Sequence, residues 1–220
     1  MKQLIIGDKS TRLPVIQGGM GVGVSLSGLA SAVANRGGIG VISGVQIGFR
    51  ETDFMTNTME ANIRALRKEI RLAREKSPLG ILGVNLMVAI ENYAETVKAA
   101  VEEKIDLIIS GAGLPNDLPG LVKGSKTKIA PIVSSGKAAA VITKLWMKRH
   151  DYFPELIIIE GPLAGGHLGF SKEVLASGEI PRLEDIFTEV KKALKPFEEK
   201  AGKTAQIVVA GGIYNGEDIK

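Results

Sequence analysis

The chain of 220 residues contains no cysteine and only two histidines. The missing cysteine excludes disulfides and thiolate metal sites, and it fits a reducing compartment. With two histidines, no His-x-x-x-His spacing and no cluster of carboxylates, the sequence has no recognisable ligand set for a metal. We therefore predict a protein without a bound metal.

Long apolar runs and aromatic residues are also scarce. The apolar run before Gly7 is too short for a signal peptide, and no segment approaches the roughly 18 apolar residues that span a bilayer. Nucleic-acid surfaces interleave basic with aromatic residues, but aromatics make up only 5% of this chain. Much of its positive charge lies in residues 64–76, where helical spacing indicates a solvated helix face. We expect a cytoplasmic protein that binds neither membranes nor nucleic acid.

What the sequence does contain is a repeated unit. Short runs rich in valine and isoleucine recur along the chain, and nearly every run ends in small residues. Such runs are typical of strands that are buried on both faces of a parallel sheet covered by helices. The predicted strands are 14–21, 38–44, 82–87, 106–113, 128–136, 155–162 and 206–213.

Helical patterns separate most of these strands. The first begins with Ser25 as a candidate N-cap and ends on Gly37 and Gly38, a typical C-terminal signal. Residues 114–126 are interrupted by proline and glycine, so they allow only a short helix. The predicted longer helices are 25–38, 57–77, 91–104, 136–151 and 182–202.

This order of elements fits either a (β/α)8 barrel or a doubly wound open sheet. Small residues end nearly every predicted strand, which favours a ring of loops around one site and hence the barrel. After Ile213 the chain stops where a further helix should begin. We therefore predict an α/β fold, an incomplete (β/α)8 TIM barrel of about seven βα units that lacks the eighth strand. We expect one domain over residues 1–220, truncated at its C-terminus.

The glycines of residues 18–23 follow a predicted strand and precede a predicted helix, which is the context of a dinucleotide-binding turn. The Gly-x-Gly-x-x-Gly spacing fails, however, because Val24 or Leu26 stands where the third glycine is needed. No P-loop spacing is present either. The turn could still bring backbone N–H groups close to a flat ring or an anion, and the alternative is that its glycines only permit tight turns.

The segment GPLAGGHLGF, residues 161–170, places His167 in the loop after a predicted strand. Barrel enzymes build their sites on these loops, and an imidazole suits proton transfer near neutral pH. His167 is therefore a candidate acid–base group, and the alternative is a loop histidine that bonds a neighbouring carbonyl.

Polar side chains at other predicted strand ends could likewise have either a functional or a local structural role. Asn85 and Glu160 each end a buried run, so each needs a partner from its own loop or from a bound ring. Ser110, Ser134 and Ser135 could donate hydrogen bonds in the same way, although serines at strand ends more often satisfy local turns.

Four motifs in this order carry a family resemblance: PVIQGGMGVGVS, GVNLM, GPLAGGHLG and AGGIYNGEDI. Together they resemble the nitronate monooxygenase family, formerly called 2-nitropropane dioxygenases, a group of FMN-dependent barrels. Flavin-dependent enoyl-acyl-carrier-protein reductases share the same scaffold. The resemblance extends from Pro14 to the end of the chain.

The resemblance implies FMN as the cofactor and His167 as the catalytic residue. In the family the first loop lies along the flavin, a strand-end amide contacts it, and a glycine turn forms the first half of the phosphate cradle. Glu160 stands where members often have glutamine, and the family completes its cradle at the eighth strand. The residues implied to bind the cofactor are Gly19, Met20, Asn85, Glu160, Gly165, Gly166, Gly211 and Gly212.

The activity implied by the resemblance is oxidation of nitroalkanes or nitronates by O2, with His167 as general base. A second interpretation is an FMN-dependent enoyl-acyl-carrier-protein reductase that uses NAD(P)H and an enoyl thioester. A third is an inactive truncated chain or a non-catalytic binding subunit. A small-molecule substrate is expected in the first two cases, and homo-oligomer formation is left open.

Overall fold

The computed structural model describes residues 3–166, 169–177 and 180–218. Its contacts divide the chain into two compact units. As far as these ranges are described, unit 1 comprises Met1–Gly111 and Asp117–Ile129, and unit 2 comprises Ala112–Asn116 and Ala130–Lys220. His167 lies outside the described residues.

Unit 1 opens with a small antiparallel hairpin and continues with parallel strands that alternate with helices. Strands β3, β4 and β5 pair in parallel, with Ile39 opposite Ile81 and Val84 opposite Ile108. The elements are β1 (Ile5–Ile6), β2 (Lys9–Ser10), α1 (Ser27–Asn35), β3 (Ile39–Ser43), α2 (Thr58–Lys76), β4 (Ile81–Met87), α3 (Tyr93–Glu102), β5 (Leu107–Gly111) and α4 (Leu118–Leu121).

Unit 2 repeats the alternation. Strand β7 pairs in parallel with β6 and with β8, with Ile158 opposite Ile132 and Ile157 opposite Ile207. Helices α5 and α7 pack against each other. The elements are β6 (Lys128–Val133), whose first two residues belong to unit 1, α5 (Gly136–His150), β7 (Leu156–Glu160), α6 (Lys172–Ala176), α7 (Leu183–Ala201) and β8 (Gln206–Ala210).

Burial explains why the valine and isoleucine runs form parallel strands. Every residue of β3 and of β5 is buried, as expected for strands with side chains packed on both faces. Gly40 shows how closely α1 lies on β3, because a Cβ placed there would stand 1.8 Å from the Ala30 carbonyl oxygen. The six predicted strands from 38–44 onward and the five predicted longer helices are confirmed, with boundaries that differ by a few residues.

Two local expectations at the N-terminal side are wrong. Residues 14–21 do not form a strand: they contribute one isolated parallel bridge, between Ile16 and Ile39, before the chain leaves the sheet. Ser25 does not cap α1, whose N-cap is Leu26 and has no side-chain cap bond. The Ser25 hydroxyl is instead occupied by the glycine loop, as described below.

The amino-terminal ends of β4 and β5 are held by a cluster around Asp106, which we call the Asp106 clamp. Its Oδ1 accepts from Lys9 Nζ at 2.5 Å, and its Oδ2 accepts from Arg74 Nη2 at 2.6 Å and from the Leu82 N–H at 2.9 Å. Arg74 also donates to the Gly80 carbonyl oxygen at 2.7 Å. The clamp ties the N-terminal hairpin and α2 to the base of the sheet.

The basic face of α2 is paired with carboxylates. Arg71 bonds Glu103 through Nε at 2.7 Å, and Arg67 bonds both Glu102 and Glu103. Arg71, and after it Arg67, holds the pKa of the Glu103 carboxyl below its usual range. These pairs agree with the interpretation of residues 64–76 as a solvated helix face. Among the described helices none is long and apolar enough to cross a membrane.

Candidate functional site

The first loop of unit 1, residues 17–25, is held by two side chains that the sequence did not single out for this purpose. Gln17 Nε2 donates to the Val41 carbonyl oxygen at 2.9 Å and to Ser25 Oγ at 3.0 Å. Ser25 Oγ also accepts from the Met20 N–H at 3.0 Å and donates to the Gly18 carbonyl oxygen at 3.1 Å. The loop is thus tied to β3 by Gln17 and closed on itself by Ser25.

Two backbone donors in this loop remain available. Within the described part of the chain, the N–H groups of Gly18 and Gly19 donate to no acceptor. Gly18 is exposed, and a Cβ there would meet no atom within 4 Å. A Cβ on Gly19 would stand 2.5 Å from Asn85 Cβ, so only glycine fits there without displacing that side chain.

Asn85 lies beside this loop, next to Gly19. Asn85 is half-buried near the end of β4, and its Nδ2 makes only a long bond of 3.5 Å to the Ile109 carbonyl oxygen. It is paired in register with Ser43 of β3, so the two side chains emerge on the same face of the sheet. Ser43 is 3% exposed, and its Oγ has no hydrogen-bond partner among the described atoms.

Met20 extends the loop outward, because its side chain is 40% exposed while its N–H is bound to Ser25. Val22 and Val24 of the same loop are also exposed. Three of the implied cofactor residues, Gly19, Met20 and Asn85, therefore assemble at the carboxyl ends of β3 and β4 within unit 1.

In unit 2 a second set assembles after β7 and β8. Glu160, the last residue of β7, is half-buried and lies opposite Ala210, and the next N–H, of Gly161, donates to the Ala210 carbonyl oxygen at 2.8 Å. Gly211 has φ of +94° and lies against the loop after β7, since a Cβ there would stand 2.7 Å from the Ala164 nitrogen. The following residue, Gly212, has φ of +84°.

The glycine turns of unit 2 also present backbone donors. Considering only the described atoms, the N–H groups of Gly211 and Gly212 donate to no acceptor. Gly165 and Gly166 are exposed, and Gly166 has φ of +93°. These conformations favour glycine, and consecutive free N–H groups suit an anion such as a phosphate.

The loop that carries His167 is anchored on its far side, because Ser134 Oγ donates to the Gly169 carbonyl oxygen at 3.0 Å. The other two strand-end serines also have partners. Ser135 caps α5 by accepting from the Ala138 N–H, and Ser110 bonds the Tyr93 hydroxyl at 2.8 Å. Burial raises the pKa of Tyr93 to about 12. The interpretation that such serines satisfy local turns is confirmed for Ser135 alone, because Ser110 and Ser134 bond residues far away in the sequence.

Taken separately, the set in unit 1 suits a flat ring and the set in unit 2 suits a phosphate, which are the two parts of FMN. A flat ring can approach glycine backbone closely, and a phosphate needs donors that the protein itself does not use. Unit 1 offers the free N–H groups of Gly18 and Gly19 beside the Asn85 amide, and unit 2 offers those of Gly211 and Gly212. No group of three or more possible metal ligands occurs in the described ranges.

A groove of about 320 Å³ lies elsewhere, on α2, and is lined by Arg64, Arg67, Lys68, Arg71, Leu72 and Glu75. Three of its arginines are already bonded to carboxylates, as in the pair of Arg64 with Glu51. It lies on the helix face, so we do not assign it to either set of strand-end residues.

Similarity to known proteins agrees with this picture. FabK from Thermotoga maritima superposes with a TM-score of 0.70 at 24% identity, covering 95% of this chain and 54% of that chain. A nitroalkane oxidase from Streptomyces ansochromogenes superposes with a TM-score of 0.70 at 20% identity, covering 95% of this chain and 61% of that chain. The chain thus spans little more than half the length of these proteins. No curated protein matches the sequence.

The likeness in fold confirms the predicted class, an incomplete (β/α)8 barrel. The sequence profile of the nitronate monooxygenase family matches residues 2–220. The chain therefore belongs to the nitronate monooxygenase family, a family of flavin-dependent oxidoreductases.

Proposed function

We propose that this chain is an FMN-dependent oxidoreductase that oxidises nitroalkanes or nitronates with O2. The observation that carries the proposal is the presence of two pairs of unused backbone donors, at Gly18–Gly19 and at Gly211–Gly212, in loops at the carboxyl ends of parallel strands. Family membership supplies the identity of the group that would use them.

Each cofactor residue has a role that follows from its chemistry. Gly19, Met20 and Asn85 would hold the ring, with backbone, apolar and amide contacts respectively. The glycine loop at Gly165 and Gly166 would approach the cofactor, and Glu160 would present a carboxylate where a ring N–H can donate. The free N–H groups of Gly211 and Gly212 would bind the phosphate.

The proton step falls to His167. A neutral imidazole nitrogen takes the proton from the carbon next to the nitro group, and the electron pair of that C–H bond moves onto the nitro group to give a nitronate. The negative charge on the nitronate oxygens is stabilised by backbone N–H groups of the glycine loops. FMN, when bound, supplies the redox chemistry with oxygen.

The test begins with the purified 220-residue chain. Titration with FMN, followed by flavin fluorescence, should show stoichiometric binding, and the loaded protein should consume O2 with a nitronate. NAD(P)H consumption with an enoyl thioester, without O2 uptake on nitronate, would assign the reductase activity instead. A folded chain that binds no FMN at all would contradict the proposal and favour a non-catalytic binding subunit.

A further inference from the structure

Residues 15–17 run beside β3 for a short distance before the chain turns into the glycine loop. The segment makes one parallel bridge to β3, in which the Ile39 N–H donates to the Val15 carbonyl oxygen at 2.9 Å and the Gln17 N–H donates to the Ile39 carbonyl oxygen at 3.0 Å. In a regular parallel ladder the next rung would join Val41 of β3 to the main chain at residues 17 and 19. That rung is not made by the main chain.

The Gln17 side chain makes the rung instead. Its Oε1 accepts from the Val41 N–H at 3.2 Å, and its Nε2 donates to the Val41 carbonyl oxygen at 2.9 Å. A carboxamide has the same donor and acceptor as a peptide group, so it satisfies both groups of Val41, a residue that is 0% exposed.

The replacement of the main-chain rung by the Gln17 side chain affects which backbone N–H groups of the loop are left unused. If the backbone continued the ladder, the N–H of Gly19 would be the donor to the Val41 carbonyl oxygen. Because the Gln17 amide takes the place of that rung, the main chain makes no bond to Val41 and the N–H of Gly19 stays unused. The N–H of Gly18 would face away from β3 in either case. Ser25 secures the turn by accepting from Gln17 Nε2 and from the Met20 N–H.

We propose that Gln17 is a positioning residue of the cofactor site: its side chain replaces the backbone in the last rung on β3 and so leaves the N–H group of Gly19 for a ligand. The identity of that ligand as FMN rests on the proposed function. The positioning itself does not, because every contact that carries it lies within unit 1.

Two substitutions separate the two amide functions of Gln17, and a third serves as a control. Gln17→Met keeps the length of the side chain and removes both bonds to Val41. Gln17→Glu keeps the acceptor for the Val41 N–H but, when ionised, faces the Val41 carbonyl oxygen with a second acceptor. Thr127→Val is the matched control, because it also removes one side-chain bond to a buried backbone carbonyl of unit 1, that of Ile105 at 2.8 Å.

The first measurement is hydrogen exchange at the Val41 amide in the chain without FMN, by NMR. In Gln17→Met the Val41 amide should exchange about tenfold faster or more, because its acceptor is gone. In Thr127→Val it should exchange as in the wild type. Equal exchange at Val41 in wild type and Gln17→Met would overturn the proposal, whether or not the chain binds FMN.

The second measurement is FMN affinity, by fluorescence titration. Gln17→Met should raise the Kd by about tenfold or more, while Thr127→Val should leave it within about twofold. A similar loss of affinity in both variants would show a general effect of stability and would refute the positioning role. If the wild type binds no FMN, the proposed function fails, and exchange at Val41 still decides the role of Gln17.

The third measurement is the pH dependence of Gln17→Glu, expressed relative to the wild type at each pH. Above the pKa of the introduced carboxyl its affinity for FMN should resemble that of Gln17→Met. As the pH falls and the carboxyl is protonated, its O–H can donate to the Val41 carbonyl oxygen, and affinity should recover. A pH-independent ratio to wild type would contradict the proposed donor role.

Discussion

The two ends of the sheet in unit 1 treat their polar groups in opposite ways. At the amino-terminal end, the Asp106 carboxylate accepts from Lys9, Arg74 and the Leu82 N–H. At the carboxyl end, the described contacts leave the N–H groups of Gly18 and Gly19 without an acceptor and Ser43 Oγ without any partner.

The free-energy cost of unsatisfied polar groups explains why the two ends of the sheet differ. A buried polar group without a partner costs about 1–3 kcal/mol, so proteins satisfy nearly all of them. At the amino-terminal end the bonds of the Asp106 carboxylate contribute to stability, and at the carboxyl end the unused donors of the glycine loop are available to a ligand. The same division is found in barrel enzymes, which place stability at the base and chemistry at the carboxyl ends of the strands.

The largest effect is expected at the carboxyl end, in activity alone. His167→Asn removes the proposed base and should lower turnover of a neutral nitroalkane by about 10²–10⁴-fold. Oxidation of the preformed nitronate should be spared, since it needs no proton removal. Steady-state O2 uptake with each substrate measures the two effects. Equal loss on both would rule out the role as base, and an unchanged melting temperature would confirm that the substitution is confined to the chemistry.

At the amino-terminal end the expected effect is on stability. Asp106→Ala removes the acceptor shared by Lys9, Arg74 and the Leu82 N–H, and should lower the free energy of unfolding by about 3 kcal/mol. Asp106→Asn keeps an acceptor for the Leu82 N–H and should lose less. Urea unfolding gives both values. FMN affinity of the folded variants should stay unchanged, and a selective loss of affinity would break the division between the two ends.

The sequence predicts the two ends unequally well. Buried runs such as residues 38–44 and 106–113 predict β3 and β5, because the period and composition of a parallel strand are local properties. The run at 14–21 looks equally strand-like, and only one bridge forms because the Gln17 amide competes for Val41. Such a competition joins residues far apart in sequence, so it has no local signal.

The strand register, and with it the face of the sheet on which a strand-end side chain emerges, cannot be predicted from the sequence for the same reason. Ser43 and Ser110 both lie at or near the end of a buried strand, yet the register places Ser43 opposite Asn85, and Ser110 opposite Leu86, the next residue along β4. One serine therefore shares the face of Asn85, and the other emerges on the opposite face and bonds Tyr93. A shift of one residue would exchange the two roles, and sequence patterns do not fix strand ends that closely.

A smaller effect is expected where the first loop meets β4. Gly19→Ala would place a methyl group 2.5 Å from Asn85 Cβ. The strain should cost about 1–3 kcal/mol of stability and displace either the loop or the Asn85 side chain. Gly18→Ala is the matched control, because it meets no atom within 4 Å and should change stability by less than about 0.5 kcal/mol. Thermal unfolding of both variants tests this, and equal stability would contradict the close approach.

The smallest effect, and the sharpest comparison, uses one substitution at two buried serines. Ser110→Ala leaves the Tyr93 hydroxyl without its partner at 2.8 Å and should cost about 1–2 kcal/mol. Ser43→Ala removes a hydroxyl that has no partner among the described atoms, so it should be neutral or stabilise the chain by up to about 1 kcal/mol. Urea unfolding of the chain without FMN gives both values. A loss at Ser43 as large as that at Ser110 would mean that the Ser43 hydroxyl is satisfied, and the contrast between the two ends of the sheet would then rest on the glycine N–H groups alone.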